Sequence, residues 1–312
     1  MRHPKITVVG AGNVGASCAL WAARRDLGDL VLVDVVDGLA AGKALDLQQA
    51  APIAGFAHSV TGSTDYAATA GSDLAIVTAG LARKPGMSRD DLLAKNAEIV
   101  SGVVRNLVAR SPDVLLVIVS NPVDAMTSLA HRVSKLPPRR VVGMAGVLDS
   151  ARMRTFIALE AGASPKDVQA FVLGGHGDTM VPLVRHSSIG GVPLARCLPK
   201  ETIDRIVERT RNGGAEIVAL LRTGSAFYAP AAAAVEMAQA ILRDERRVLP
   251  CAAYCDKEYG VGGYFVGVPA RLGAAGVLDV LEFDLTAEEK AAFDRSAAAV
   301  KGLVKQLAGL GY

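Results

Sequence analysis

No block of like charge, no cysteine-dense stretch and no uninterrupted membrane-length apolar run stands out in this chain of 312 residues, and each absence closes off a class of function. The formal charge of +3 is the small remainder of 34 basic against 31 acidic residues. A nucleic-acid groove or a membrane surface calls for clustered Lys and Arg, so neither partner is expected. Four cysteines, Cys18, Cys197, Cys251 and Cys255, are too few and too scattered for a disulfide framework. Cys251 and Cys255 also lack the second Cys or His pair that zinc requires, so they read as buried free thiols. No metal is expected, and a reducing cytoplasm is the simplest compartment. Apolar runs such as residues 114–119 have strand length, and the longer 226–242 carries Pro230 and Glu236, so no transmembrane helix is expected.

What the chain does have is apolar material. Hydrophobic residues make up 51% of it although aromatics are only 4%, enough for a full core in a soluble globular protein of one large or two moderate domains.

The most informative stretch is residues 5–34. A β-branched run at 6–9 leads at once into Gly10, Gly12 and Gly15, spaced G-x-G-x-x-G. A helix-compatible segment at 14–25 and a second apolar strand at 30–33, closed by Asp34, follow. A dinucleotide uses each part. Gly10 permits the tight turn, Gly12 lets backbone approach a pyrophosphate, and Gly15 lets helix pack on strand, while the helix N-terminus offers N–H groups and partial positive charge. Asp34 stands where a carboxylate accepts hydrogen bonds from the adenosine ribose and repels a 2′-phosphate, which favours NAD over NADP. A chance glycine pattern and a secretory leader are the competing readings, since residues 6–23 carry no charge and follow Arg2 and Lys5. Three glycines and Asn13 interrupt what a leader would keep apolar, and a strand ending in Asp follows directly.

Beyond Asp34 the pattern continues: a helix at 37–51, a weak strand at 59–62, strong strands at 73–78 and 114–120, and a sixth at 141–143. Helical stretches lie between, the longest at 90–110. Continuously apolar strands alternating with helices imply a parallel sheet covered on both faces, and right-handed crossovers make it a doubly wound Rossmann domain. Its ligands gather where strands end, at Gly10, Asp34, Gly80 and Asn121. The only double proline, Pro137-Pro138, precedes the last of these strands, so residues 1–145 form the cofactor domain and 146–312 an α+β substrate domain. There the pattern predicts helices at 149–161, 200–221 and 231–243, strands at 168–173 and 180–184, and a meander at 248–254, 264–269 and 276–282. Thr286 and Glu289 form a capping box before a final helix whose apolar stripe, Phe293, Ala297, Val300, Val304 and Leu307, is core packing.

Four places concentrate residues able to do chemistry. GLARKPGMSRDD leaves a strand with Arg83 and Arg89 among glycines; it is either a solvated loop or one that closes over an anion. Asn121 in SNP ends a strand on the ligand side, or is an ordinary turn residue. In LDSARMR, Asp149 and Arg152 stand at i and i+3 and point to one place if a helix starts near Asp149. In GGHGDT, His176 is flanked by glycines that leave its imidazole approachable, unlike His3, His58, His131 and His186, which read as structural.

GAGNVG, VLVDVVDG, AGLARKPGMSRDDLL, VSNPVD, GVLDSAR, GGHGDTMVPL and TGSAFYAPA, in this order over nearly the whole chain, resemble the lactate and malate dehydrogenase superfamily, nearest its lactate dehydrogenase-like malate dehydrogenase branch. The resemblance implies hydride transfer between NAD and malate or oxaloacetate. It makes His176 the general acid and base, and Asp149 the carboxylate orienting its ring. It makes Arg152 the grip on the substrate's C1 carboxylate, Arg89 the loop group polarising the carbonyl, and Asn121 a contact to substrate and nicotinamide. Ser225 aligns near the substrate pocket. Gly10, Gly12, Asn13, Val14, Gly15, Asp34, Gly80, Asn96 and Asn121 align with cofactor contacts. Lactate dehydrogenases carry an uncharged residue where Arg83 stands, so Arg83 predicts a dicarboxylate. The alternatives are a dehydrogenase of L-lactate or another 2-hydroxy acid, and a catalytically silent NAD-binding protein. The resemblance also implies a homodimer or homotetramer, and no extended N-terminal arm precedes the first strand to favour either.

Overall fold

The computed structural model describes residues 3–81 and 89–312, without the side chains of Arg89 and Asp90. Its first half is β1 (Lys5–Val9), α1 (Asn13–Arg24), β2 (Asp29–Val33), α2 (Leu39–Ala54), β3 (Val60–Ser63), β4 (Leu74–Val77), α3 (Arg89–Arg110), β5 (Leu115–Ile118), α4 (Val123–Ser134) and β6 (Val141–Gly143). The second half runs α5 (Gly146–Ala161), then the two-residue strands β7 (Val168–Gln169), β8 (Val172–Leu173), β9 (Val181–Pro182), β10 (Ser188–Ile189) and β11 (Val192–Pro193). It ends with α6 (Leu194–Cys197), α7 (Lys200–Leu221), α8 (Tyr228–Leu242), β12 (Arg247–Cys255), β13 (Tyr264–Gly273), β14 (Gly276–Val280) and α9 (Ala287–Gly309).

Strands β1 to β6 are parallel in the order β6-β5-β4-β1-β2-β3, so the order reverses between β1 and β4. A parallel sheet opens a ligand crevice at that reversal, beyond the carboxyl ends of its strands. The unbroken apolar runs have a simple reason. Successive side chains of a strand face opposite sides: Ile6, Val8, Leu74, Ile76, Leu115 and Val117 enter one core with α1 and α8, while Val9, Ala75, Val77, Leu116 and Ile118 enter another with α3 and α4. With a core on both sides, nearly every position is apolar; buried Thr7 of β1 is an exception, its hydroxyl paired with Ser72 Oγ at 2.7 Å.

Several boundaries depart from the sequence pattern. Helix α5 starts one turn earlier than Asp149, and α8 three residues before Ala231. Helix α2 continues past Pro52 to Ala54, where Gly55 closes it in the left-handed conformation with its N–H on the Ala51 carbonyl. The single strand expected at 168–173 is two: β7 pairs with β10 and β8 with β9, in separate small sheets. Most consequential, the meander β12-β13-β14 is not a separate sheet. It extends the parallel one to nine strands, joined where Ala252 pairs with Gly143. The capping box of α9 is formed, with Thr286 Oγ1 accepting from Glu289 N–H and Glu289 Oε2 from Thr286 N–H. Among the described residues no helix is long and apolar enough to cross a membrane.

Candidate active site

At the end of β1 the chain turns through Gly10 at φ 97°, where a Cβ would come within 2.9 Å of the Ala79 nitrogen. A Cβ on Gly15 would lie 1.7 Å from the Gly10 carbonyl oxygen. The chain's own packing therefore fixes both glycines. Gly12 is different, because nothing among the described residues lies within 4 Å of the position its Cβ would take. It is the N-cap of α1, with no side-chain cap, and it precedes exposed Asn13. The first turn of a helix leaves N–H groups without intrahelical partners, so the open space over Gly12, Asn13 and Val14 fits a pyrophosphate. Asp34 closes this turn from β2: its Oδ2 accepts from Ala11 N–H at 2.6 Å and its Oδ1 from Val36 N–H at 3.0 Å. The carboxylate thus holds the glycine turn.

Two residues tie the neighbouring strand ends together. Thr78 Oγ1 lies 3.0 Å from the carbonyl oxygens of both Val9 and Gly10, pinning the exit of β4 to that of β1. Asn96 on α3 is 1% exposed and spends its amide on backbone. Its Oδ1 accepts from Leu81 N–H at 2.7 Å, while Nδ2 donates to the carbonyls of Asn121 at 2.7 Å and Leu81 at 3.2 Å. A buried amide with these groups satisfied is a brace between the loops leaving β4 and β5. Gly80 leaves room for it, a Cβ there falling 3.2 Å from Asn96 Oδ1.

Three of the candidate residues, His176, Asp149 and Arg152, meet around one buried carboxyl. Asp149, on the first turn of α5, is 1% exposed. Its Oδ2 lies 2.8 Å from His176 Nδ1 and its Oδ1 accepts from Arg152 Nη1 at 3.2 Å. Burying a carboxylate costs several kcal/mol unless it is paired; here two groups share it. With Nδ1 engaged, Nε2 is the nitrogen left for a substrate. Burial disfavours a charged imidazole, but the charge and hydrogen bond of Asp149, helped by Asp124, outweigh it, so the His176 pKa is raised despite Arg152 nearby. Arg152 finds its room because α7 has glycines opposite, a Cβ at Gly213 falling 3.0 Å from Arg152 Cδ.

His176 stands on a loop between β8 and β9 that other elements hold. The Gly174 N–H donates to the Gly267 carbonyl of β13 at 2.8 Å, Gly175 N–H to Ser296 Oγ of α9 at 2.8 Å, and His176 N–H to Asp124 Oδ2 of α4 at 2.9 Å. Asp124, Ser296, Thr78 and the Gly213–Gly214 pair escape a reading of sequence alone. The only signal was Asp124 closing VSNPVD, three residues after Asn121.

The structure thus brings His176, Asp149 and Arg152 together, and separately Gly10, Gly12, Gly15 and Asp34, with Gly80, Asn96 and Asn121 joined at the next strand ends. Ser225 is exposed in the link between α7 and α8. Arg83 and the Arg89 side chain lie outside the described residues. The other histidines are packed elsewhere: His131 against Tyr254 and Phe265, His186 stacked on Phe283, and His3 edge-on to His58. Cys251 and Cys255 are buried free thiols, and among the described residues no cluster of His, Cys, Asp or Glu could hold a metal ion.

Residues 4–143 match the lactate/malate dehydrogenase NAD binding domain, and residues 146–309 the lactate/malate dehydrogenase alpha/beta C-terminal domain. The chain is 57% identical over 312 residues to a malate dehydrogenase of Rhodopirellula baltica, covering 99% of both. It is similar to the crystal structure of a malate dehydrogenase from Salinibacter ruber, at 52% identity, 98% coverage of each chain and a TM-score of 0.94. A lactate dehydrogenase from Cryptosporidium parvum, solved with lactic acid and nicotinamide adenine dinucleotide, superposes at a TM-score of 0.95 with 42% identity and 98% coverage of each chain.

Proposed function

We propose how this chain, which belongs to the lactate/malate dehydrogenase family, carries out reversible hydride transfer between malate and oxaloacetate. The overall reaction is malate + NAD⁺ to oxaloacetate + NADH + H⁺. NAD, when bound, supplies the hydride acceptor, and as NADH the donor.

One observation carries the reading: His176 and Arg152 share the buried carboxyl of Asp149. In malate oxidation His176 Nε2 takes the hydroxyl proton, and Asp149 balances the imidazolium that results without itself leaving the ionised state. Arg152 keeps guanidinium N–H groups free of Asp149 for a two-pronged grip on the C1 carboxylate. Asn121 contacts the substrate and the nicotinamide side, and Ser225 borders the substrate pocket. The roles of Arg89, polarising the carbonyl, and Arg83, pairing the second carboxylate, rest on the resemblance alone. Gly10, Gly12, Asn13, Val14, Gly15, Asp34 and Gly80 line the cofactor, with Asn96 serving the same site through the loops it braces. In this reading residues 1–145 hold the cofactor and 146–312 the catalytic and substrate groups.

We assign the enzyme to the cytoplasm and to a homodimer or homotetramer, which exposed Leu45 and Ile53 on α2 support as apolar surface for a second copy. The test is NADH oxidation with oxaloacetate against pyruvate. Preference for oxaloacetate is expected. Preference for pyruvate makes it a lactate dehydrogenase, and NADH binding without turnover of either makes it a silent binding protein.

A further inference from the structure

Two carboxyls, not one, are built against His176. Asp149 pairs with its ring, and Asp124 accepts from its main-chain N–H. Three backbone N–H groups of the histidine loop are held by three acceptors: a carbonyl at Gly174, a hydroxyl at Gly175 and a carboxylate at His176. Any neutral oxygen suffices to accept from a backbone N–H, as Ser296 does one residue earlier. Asp124 is nevertheless an acid, 4% exposed, and its second oxygen, Oδ1, is buried without a partner among the described residues. A buried carboxyl with an idle oxygen is expensive, and it persists where its charge is used. Gly175 lets this loop pack close on α9, since a Cβ there would fall 2.7 Å from Val300 Cγ2.

Resting on the dehydrogenase reading above, we propose that Asp124 is a positioning residue for the reaction: through Oδ2 it fixes the main chain of His176, and its negative charge joins that of Asp149 in holding the proton on the imidazole. The charged groups acting on Asp124 are His176 and Asp149, and those acting on His176 are Asp149, Asp124 and Arg152. Burial pushes the Asp124 carboxyl up to about 6, opposed by the hydrogen bond and charge of His176. Above that pH it is ionised beside the histidine. As pH falls through it, the second carboxylate is neutralised and the imidazole loses part of its support.

The test compares Asp124→Asn, which keeps an oxygen acceptor but no charge, Asp124→Ala, which keeps neither, and Ser296→Ala, which loosens the same loop without touching a charge. Rates of oxaloacetate reduction and malate oxidation are followed against pH, with NADH affinity and melting temperature measured alongside. Asp124→Asn is expected to lower kcat for reduction about tenfold and to move the alkaline limb of its pH profile about one pH unit toward acid. NADH affinity stays unchanged. Asp124→Ala is expected to cost about 100-fold, and Ser296→Ala to lower kcat with the pH profile in place. Wild-type kcat and profile in Asp124→Asn overturn the proposal, as does a Ser296→Ala profile displaced as far as that of Asp124→Asn. If the Asp124 variants do not fold, NMR titration of His176 in the wild-type protein decides. A second inflection near pH 6 from Asp124 is expected, and a single inflection overturns the claim. A wild-type protein inactive on oxaloacetate would instead count against the dehydrogenase reading, and the same NMR titration would still judge Asp124.

Discussion

The Nδ1 nitrogen of His176 stands 2.8 Å from Oδ2 of Asp149, a carboxyl whose side chain is 2% exposed, so the proton affinity of the histidine is set inside the protein. The sign of the consequence follows from the raised pKa of His176. In the proposed mechanism oxaloacetate reduction needs the imidazolium, so its rate is expected to hold above the ordinary histidine range near 6.5 and to fall as pH rises through the raised value, while malate oxidation gains over the same window. In stability terms, His176 contributes most below its unfolded pKa and loses that contribution as pH rises through the folded one. Asp149→Asn is expected to lower kcat by about 100-fold or more and to move both limbs toward acid. An unchanged profile measured by NADH absorbance would remove Asp149 from the proposed mechanism.

Gly12 and Gly15 separate ligand space from packing space. Gly15→Ala places a methyl on the Gly10 carbonyl and is expected to destabilise the fold by about 2 kcal/mol or more. Gly12→Ala meets nothing among the described residues, so its melting temperature is expected to stay near wild type while NADH binding weakens. Thermal melts and NADH fluorescence titrations check the pair. Equal melting losses would mean the space over Gly12 is not reserved for a ligand.

Asp34 clasps the glycine turn through Ala11, and in the proposed reading it also meets the ribose. Asp34→Ser, which keeps an acceptor but removes the charge, is expected to raise the NADPH-to-NADH activity ratio by about tenfold or more. A ratio that stays fixed would leave the coenzyme preference to another group.

Arg83→Gln tests the dicarboxylate. Stranding the second carboxylate of oxaloacetate in a drier site costs several kcal/mol, so the oxaloacetate-to-pyruvate ratio of kcat/KM is expected to fall roughly 100-fold. A ratio unmoved by the substitution sinks the assignment of specificity to Arg83.

Most of this was legible where the physics is local. The runs at residues 6–9, 73–78 and 114–120 announce a doubly covered sheet because each strand must satisfy two cores, and G-x-G-x-x-G announces its turn because a Cβ at Gly10 or Gly15 has nowhere to go. His176, Asp149 and Arg152 were legible through their motifs. Asp124 was not, since its bond to His176 spans 52 residues and no local spacing encodes it. The split of residues 168–173 into β7 and β8 was hidden for the same reason, as strands of two residues carry almost no period of their own. That β12 continues the parallel sheet could not be read from an apolar run that would suit a separate meander equally well.

The junction of β6 and β12 also limits how the enzyme can move. At Gly143 a single added methyl would come within 2.9 Å of the Ala252 Cβ on β12, so the two strands meet with no room for a side chain between them. Two bodies sharing one hydrogen-bonded ribbon do not swing apart like jaws about a hinge. The histidine loop, tied to β13 through the Gly174 N–H and the Gly267 carbonyl, therefore rides on the same sheet as the glycine turn that leaves β1.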